Sequence, residues 1–179
     1  EKMYRETCVY GRSGVVMHAM SGVEMALWDI LGKSCGQPVY RLLGGERCGS
    51  VEAYASLLMP DDPQEAAELA LSYVRQGFRA VKLGWGGLGR SVSTDVQLVE
   101  AVREAVGTDV VLMIDVGFGV DAYRALEFAR AMERLNLYFL EEPLSPDNLA
   151  GFRFLAARTG IKLASGEKET TYTGFEALI

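Results

Sequence analysis

The chain has 179 residues, 49% of them hydrophobic and 23% charged, which is enough apolar material for one sizeable core and too ordinary a mixture for disorder. Its formal charge of -6, with acids and bases interleaved along helices, argues against a nucleic-acid surface and leaves no basic amphipathic helix for a membrane. No apolar run reaches the roughly 18 residues that a spanning helix needs, and EKMYRETCVYGRSG at the start holds no apolar signal-peptide core, so the sequence reads as cytosolic.

In chain order, the cysteines Cys8, Cys35 and Cys48 form no CxxC pair, and their odd number fits reduced thiols better than a disulfide framework. His18, the sole histidine, stands beside Met17 near the head of a helix and reads as structural, so no His-rich metal site can be built. Apolar residues at 16, 19, 23, 26, 27, 30 and 31 follow the 3.6-residue period and predict an amphipathic helix over 15–31, ended by Gly32. A short helix in QPVYRLLGG follows, with Pro38 in its first turn and Gly44 and Gly45 at its end. VEAYAS, 51–56, reads as a strand. DDPQEAAELALSYVRQG then reads as a helix, with Asp62 as N-cap, Pro63 in the first turn and Glu65 as capping-box partner.

From there strands and helices alternate. The strands are AVKLG (80–84), VVLMID (110–115), LYFLE (137–141) and IKLASGE (161–167). The helices between them cover about 93–106, 121–135 and 145–159, the last opened by Ser145 and Pro146 and closed by Gly160. The strands are near-continuous apolar runs, as a parallel sheet covered on both faces requires. Such βα units build either a (β/α)8 barrel or an open doubly wound sheet.

Asp115, Glu141 and Glu167 each end one of these strands and recur at intervals of 26 residues. Equal spacing predicts corresponding C-terminal strand ends, the face on which barrel enzymes build their sites. Lys82 ends the preceding strand, 33 residues before Asp115, and the excess equals the length of GWGGLGR (84–90), read as an enlarged loop over the site. Trp85 in that loop is a candidate substrate contact. Three converging carboxylates repel one another unless a cation holds them. Oxygen ligands without Cys or His favour Mg²⁺, and Lys82 beside them suggests an anionic substrate.

Asp, Glu and Glu on three consecutive strands, with EEP at 141–143, GE at 166–167 and a lysine one strand earlier, resemble the enolase superfamily, specifically its mandelate racemase-like branch. SGVEMALWDILGKSCGQPVYRLLGG resembles the helix and linker that lead from that family's N-terminal capping domain into its barrel. The glutamate at 167 resembles the racemase-like branch more than the muconate-cycloisomerase-like one. The resemblance implies a partial (β/α)8 TIM-type barrel, about strands 1 to 5, over 49–179, preceded over 1–48 by the end of the capping domain. It further implies Mg²⁺ on Asp115, Glu141 and Glu167, chelating a small-molecule carboxylate substrate. A base removes the α-proton and the metal stabilises the enediolate, while Lys82, matching the first lysine of a K-x-K motif, neutralises the same carboxylate. Glu142 faces the other way and supports the ligands. Lys168, beside the third ligand, is turned from Glu167 by strand alternation and is disfavoured as a base. The family also implies a homo-oligomer.

The sequence departs from that pattern at two positions. Gly84 stands where the second lysine of K-x-K, a base, is expected, and Gly117 stands where the first-ligand motif often has asparagine. A racemase needs a base on each face of the α-carbon, so the loss of one favours dehydration of an acid sugar, with a racemase or epimerase of a hydroxy acid as the alternative. The resemblance puts the base, a His–Asp pair, on the sixth and seventh strands, beyond the five read here. A barrel needs roughly 250 residues, so this chain taken alone is expected to be an incomplete catalyst that associates through unpaired edges. Two other classes remain open: a non-catalytic remnant serving as a binding module, and a dinucleotide-binding protein using GWGGLG as a literal G-x-G-x-x-G.

Overall fold

The apolar runs become five parallel strands: β1 Ala55–Leu58, β2 Ala80–Gly84, β3 Val111–Asp115, β4 Leu140–Glu141 and β5 Leu163–Ala164. They form one sheet in sequential order, β1-β2-β3-β4-β5, in a computed structural model that describes residues 1–117 and 121–179. Consecutive residues Leu112, Met113 and Ile114 are all buried, so both faces of the sheet are covered, which explains why these strands read as unbroken apolar runs. Helices α4 Pro63–Arg75, α5 Val92–Val106, α6 Ala122–Met132 and α7 Leu149–Ala156 lie between successive strands. Five strands in sequential order show no reversal of the kind that defines a doubly wound sheet, so the barrel arrangement is the one adopted.

Local signals set most boundaries. The Asp62 carboxylate accepts from the backbone N–H groups of Gln64 and Glu65, Ser91 Oγ accepts from Thr94, and Asp121 accepts from Tyr123 and Arg124. The helix expected to open at Ser145 and Pro146 instead begins after Asn148, whose side chain caps the Gly151 N–H at 2.9 Å. A turn in which Asn148 N–H donates to Ser145 O occupies the earlier residues. The first strand also lies later than 51–56, because its pairing with β2 starts only at Ala55, opposite Val81. Strands β4 and β5 are shorter than their apolar runs. Arg103 is buried on α5 and donates to the backbone carbonyls of Leu135, Gly107, Val110 and Asn136, tying that helix to two loops.

The chain divides into two compact units, Ala53–Ser165, and Glu1–Glu52 with Gly166–Ile179. The second unit holds α1 Lys2–Thr7, α2 Val15–Cys35, α3 Val39–Leu42 and α8 Tyr172–Leu178. Helix α2 runs through Gly32 and ends at Gly36, which sits at φ +62° and takes the left-handed cap. Gly32 is glycine for a different reason: a Cβ there would lie 2.8 Å from the carbonyl oxygen of Gln37. Among the described residues no helix is long and apolar enough to cross a membrane.

Candidate metal centre

Backbone pairing places Gly84 opposite Asp115, Asp115 opposite Glu141, and Glu141 opposite Ala164. Paired residues of parallel strands, about 4.8 Å apart, point to the same face, so Asp115 and Glu141 stand side by side at the C-terminal ends of β3 and β4. Lys82, two residues before Gly84, shares that face. Its Nζ lies 2.5 Å from Glu141 Oε2 and 3.8 Å from Asp115 Oδ2.

Burial by itself would pull the Lys82 ammonium pKa down. The hydrogen bond to Glu141 and the charges of Glu141, Tyr54 and Asp115 together outweigh it, and the pKa is raised. Lys82 therefore keeps its proton at neutral pH, which suits a fixed positive charge and not a base. The Tyr54 ring, 5.7 Å from Lys82 Nζ, completes the surroundings. Tyr54 fell within the strand expected over 51–56 but belongs to no motif, so nothing marked it; in the structure it precedes β1 by one residue.

Asp115 is 7% exposed and both of its carboxylate oxygens are engaged. Gly117 N–H donates to Oδ1 at 3.2 Å and the Trp85 indole Nε1–H donates to Oδ2 at 3.1 Å. Glu142, 1% exposed and at φ +45°, donates its N–H to Ala164 O and accepts from Ser165 Oγ at 3.2 Å, fastening the end of β4 to β5. Ser165 is a second residue without a sequence signal.

The equal 26-residue spacing does not translate into equal register. The position on β5 that matches Asp115 and Glu141 is Ala164, because the β4-to-β5 crossover is shorter, and Glu167 comes three residues beyond it in the other compact unit. There Glu167 Oε1 pairs with Lys168 Nζ at 2.9 Å. Alternation was expected to separate those two side chains. It does not apply, since β5 ends at Ala164 and Gly166 turns the backbone at φ +115°. Among the described residues no group of three or more His, Cys, Asp or Glu side chains is gathered to hold a metal ion. The Asp115–Glu141 pair itself has the hard, all-oxygen chemistry that suits Mg²⁺.

Three of the four GWGGLG glycines have packing explanations. A Cβ on Gly84 would meet the Cβ of Asp115 at 2.5 Å, and those on Gly86 and Gly87 would fall on the carbonyl oxygens of Met59 and Pro60. Helix α5 starts only at Val92, after the Ser91 cap, too late for a pyrophosphate turn. The dinucleotide reading is therefore set aside.

Residues 65–179 match the family described as Enolase C-terminal domain-like, and residues 1–44 match Mandelate racemase / muconate lactonizing enzyme, N-terminal domain. An arabinonate dehydratase of Saccharolobus solfataricus is 35% identical over 98% of this chain and 47% of its own length. The 3,6-anhydro-D-galactonate cycloisomerase of Zobellia galactanivorans superimposes with a TM-score of 0.90 at 38% identity, over 99% of this chain and 49% of that one. A D-glucarate dehydratase of Agrobacterium tumefaciens, solved with magnesium, gives a TM-score of 0.73 at 33% identity over 79% of this chain and 39% of its own. The chain thus spans about half the length, or less, of the relatives it matches.

Proposed function

This chain belongs to the enolase superfamily, in its mandelate racemase-like branch, and from that premise we propose that it carries the metal-binding and electrostatic part of an acid-sugar dehydratase site. The observation that carries the reading is the partly buried Lys82 ammonium, held between Asp115 and Glu141 at the ends of adjacent strands. On this reading Asp115, Glu141 and Glu167 are the residues that would hold Mg²⁺, with Glu142 and Lys168 in support. When bound, the metal supplies positive charge beside the substrate carboxylate.

The chain's own residues do the rest of the positioning. Lys82, protonated at neutral pH, meets negative charge that grows on the carboxylate oxygens as the α-proton leaves. Trp85, 48% exposed beside Asp115, offers an indole face to the substrate. Loss of the C2 proton and the C3 hydroxyl, which departs as water, converts an aldonate or aldarate into a 2-keto-3-deoxy acid. Neither Gly84 nor the protonated Lys82 can take that C2 proton, and one-base dehydration is favoured over racemisation for that reason. The arabinonate and D-glucarate dehydratases among the relatives support the same substrate class.

Calorimetric titration with Mg²⁺ tests the ligands. The 179-residue chain is expected to bind it and Glu141→Gln to lose the binding, whereas equal affinity in both would overturn the assignment. Acid sugars incubated in D₂O with Mg²⁺ test the chemistry. No turnover is expected of this chain, in which neither Gly84 nor Lys82 takes the C2 proton, and any turnover overturns the view that it is an incomplete catalyst and identifies the reaction. A 2-keto-3-deoxy product marks a dehydratase, and deuterium at the α-carbon without loss of water marks a racemase.

A further inference from the structure

The stretch GWGG raises a question that the metal reading does not answer: why a tryptophan sits among glycines. Trp85 adopts φ +59°, a left-handed conformation that costs a non-glycine residue on the order of 1 kcal/mol or more. Its neighbours Gly84, Gly86 and Gly87 have no room for a Cβ, so position 85 is where this segment can present a side chain. The left-handed turn lets the Trp85 backbone N–H donate to Asp115 O at 3.1 Å while its indole Nε1–H reaches Asp115 Oδ2, also at 3.1 Å. One residue thereby grips Asp115 by main chain and side chain together. The indole lies across Gly117, where a Cβ would come within 3.2 Å of the ring, and the Gly117 N–H holds the other carboxylate oxygen.

We infer that Trp85 is a positioning residue for Asp115, and that Gly84 and Gly117 are glycine so that it can be one. Gly84 lets β2 approach β3 until residue 85 reaches the carboxylate, and Gly117, at φ +60°, takes a backbone conformation that favours glycine and spares the ring a Cβ at 3.2 Å. The two departures from the family pattern are then one device. A lysine at position 84 would not restore a base: its Cβ would stand 2.5 Å from the Cβ of Asp115 and 2.6 Å from its carbonyl oxygen, driving the strand ends apart. The inference deepens the metal reading and rests on it only for the consequence of holding Asp115. The contact itself stands without metal.

The test therefore has a metal-free arm. In a Trp28→Phe background labelled with ¹⁵N, the remaining indole signal is that of Trp85. It is expected downfield, as for a donor to a carboxylate, and should move upfield in Asp115→Ala and by less in Asp115→Asn, which keeps a weaker neutral acceptor. In the second arm, Trp85→Phe keeps a ring over Gly117 and removes the donor. Its Mg²⁺ affinity is expected to fall about tenfold, the scale at which outer hydrogen bonds tune metal ligands, with unchanged thermal stability. Gly84→Lys should lose at least as much. An indole signal indifferent to Asp115→Ala, or Mg²⁺ affinity unchanged in Trp85→Phe or Gly84→Lys, overturns the inference. Failure of the parent chain to bind Mg²⁺ sinks the metal reading instead, and the indole signal still decides the contact.

Discussion

Helices α2 and α5 carry similar sequence signals and meet different fates. Both show apolar residues at the helical period, yet α5 buries Leu98, Val99, Val102 and Val106 in the sheet-centred core, while the 21 residues of α2 bury only Gly32. Met25 and Ile30 on α2 are 72% and 62% exposed. Periodicity writes an amphipathic face into a sequence, but it does not supply the surface that face packs on. Ala53–Ser165 holds a dense sheet-and-helix core, whereas in the unit of Glu1–Glu52 with Gly166–Ile179 helices α1, α3 and α8 bury no residue and α2 buries Gly32 alone.

The strongest attempt to break this contrast is Arg103→Leu. Four backbone carbonyls would lose their donor, and burying unsatisfied polar groups costs on the order of 1–3 kcal/mol each before the loops relax, so a total loss of about 3–4 kcal/mol is expected in urea unfolding. A loss below about 0.5 kcal/mol, the size of ordinary surface changes, would mean that α5 is not the anchor described here.

A smaller effect concerns pH. Asp95 on α5 is buried, and burial pushes its pKa above the usual carboxylate value, against the hydrogen bonds that the Gly89 and Arg90 N–H groups donate to it. With the folded pKa above the unfolded one, stability is greatest below the unfolded value and falls as pH rises through the folded value. Asp95→Asn keeps an acceptor and removes the charge, so it is expected to exceed the parent in stability at pH 7, by less than about 1 kcal/mol, with the difference vanishing near pH 3. Melting curves across that range check it, and a growing difference on acidification would reverse the sign argued here.

The smallest expected change sharpens the other side of the comparison. Ile30→Ser on α2 should alter unfolding free energy by no more than about 0.5 kcal/mol, as for a surface position. Light scattering on the same variant should show weaker self-association than the parent, because an exposed apolar stripe is removed. A loss of 2 kcal/mol or more, typical of a buried aliphatic residue, would show that α2 is covered in solution.

Much of this was legible in the residues. AVKLG marked β2 to the residue, and Asp62 and Asp121 marked helix starts, because capping and strand burial are local and leave local signatures, whereas the Ser91 cap of α5 was not read from the sequence. The proximity of Asp115 and Glu141 was also readable, since each ends an apolar run and strands in sequential order bring such ends together, while Lys82, expected at a strand end, lies two residues inside β2 and reaches them with its long side chain. Glu167 was harder. Its spacing matched, but loop and helix lengths can change between strands without disturbing the chain interval between acids, and pairing of Glu141 with Ala164 revealed the shift.

By itself the sequence determined the strand-and-helix alternation, the family and the strand-end position of Asp115 and Glu141, because periodicity, caps and motifs act over a few residues. Only the tertiary structure decided that Gly84 faces Asp115, that Trp85 grips its carboxylate and that Glu142 links β4 to Ser165. Those contacts join residues 23 to 31 positions apart through inter-strand register, and register is set by the packing of the whole sheet, which no short stretch of the chain encodes.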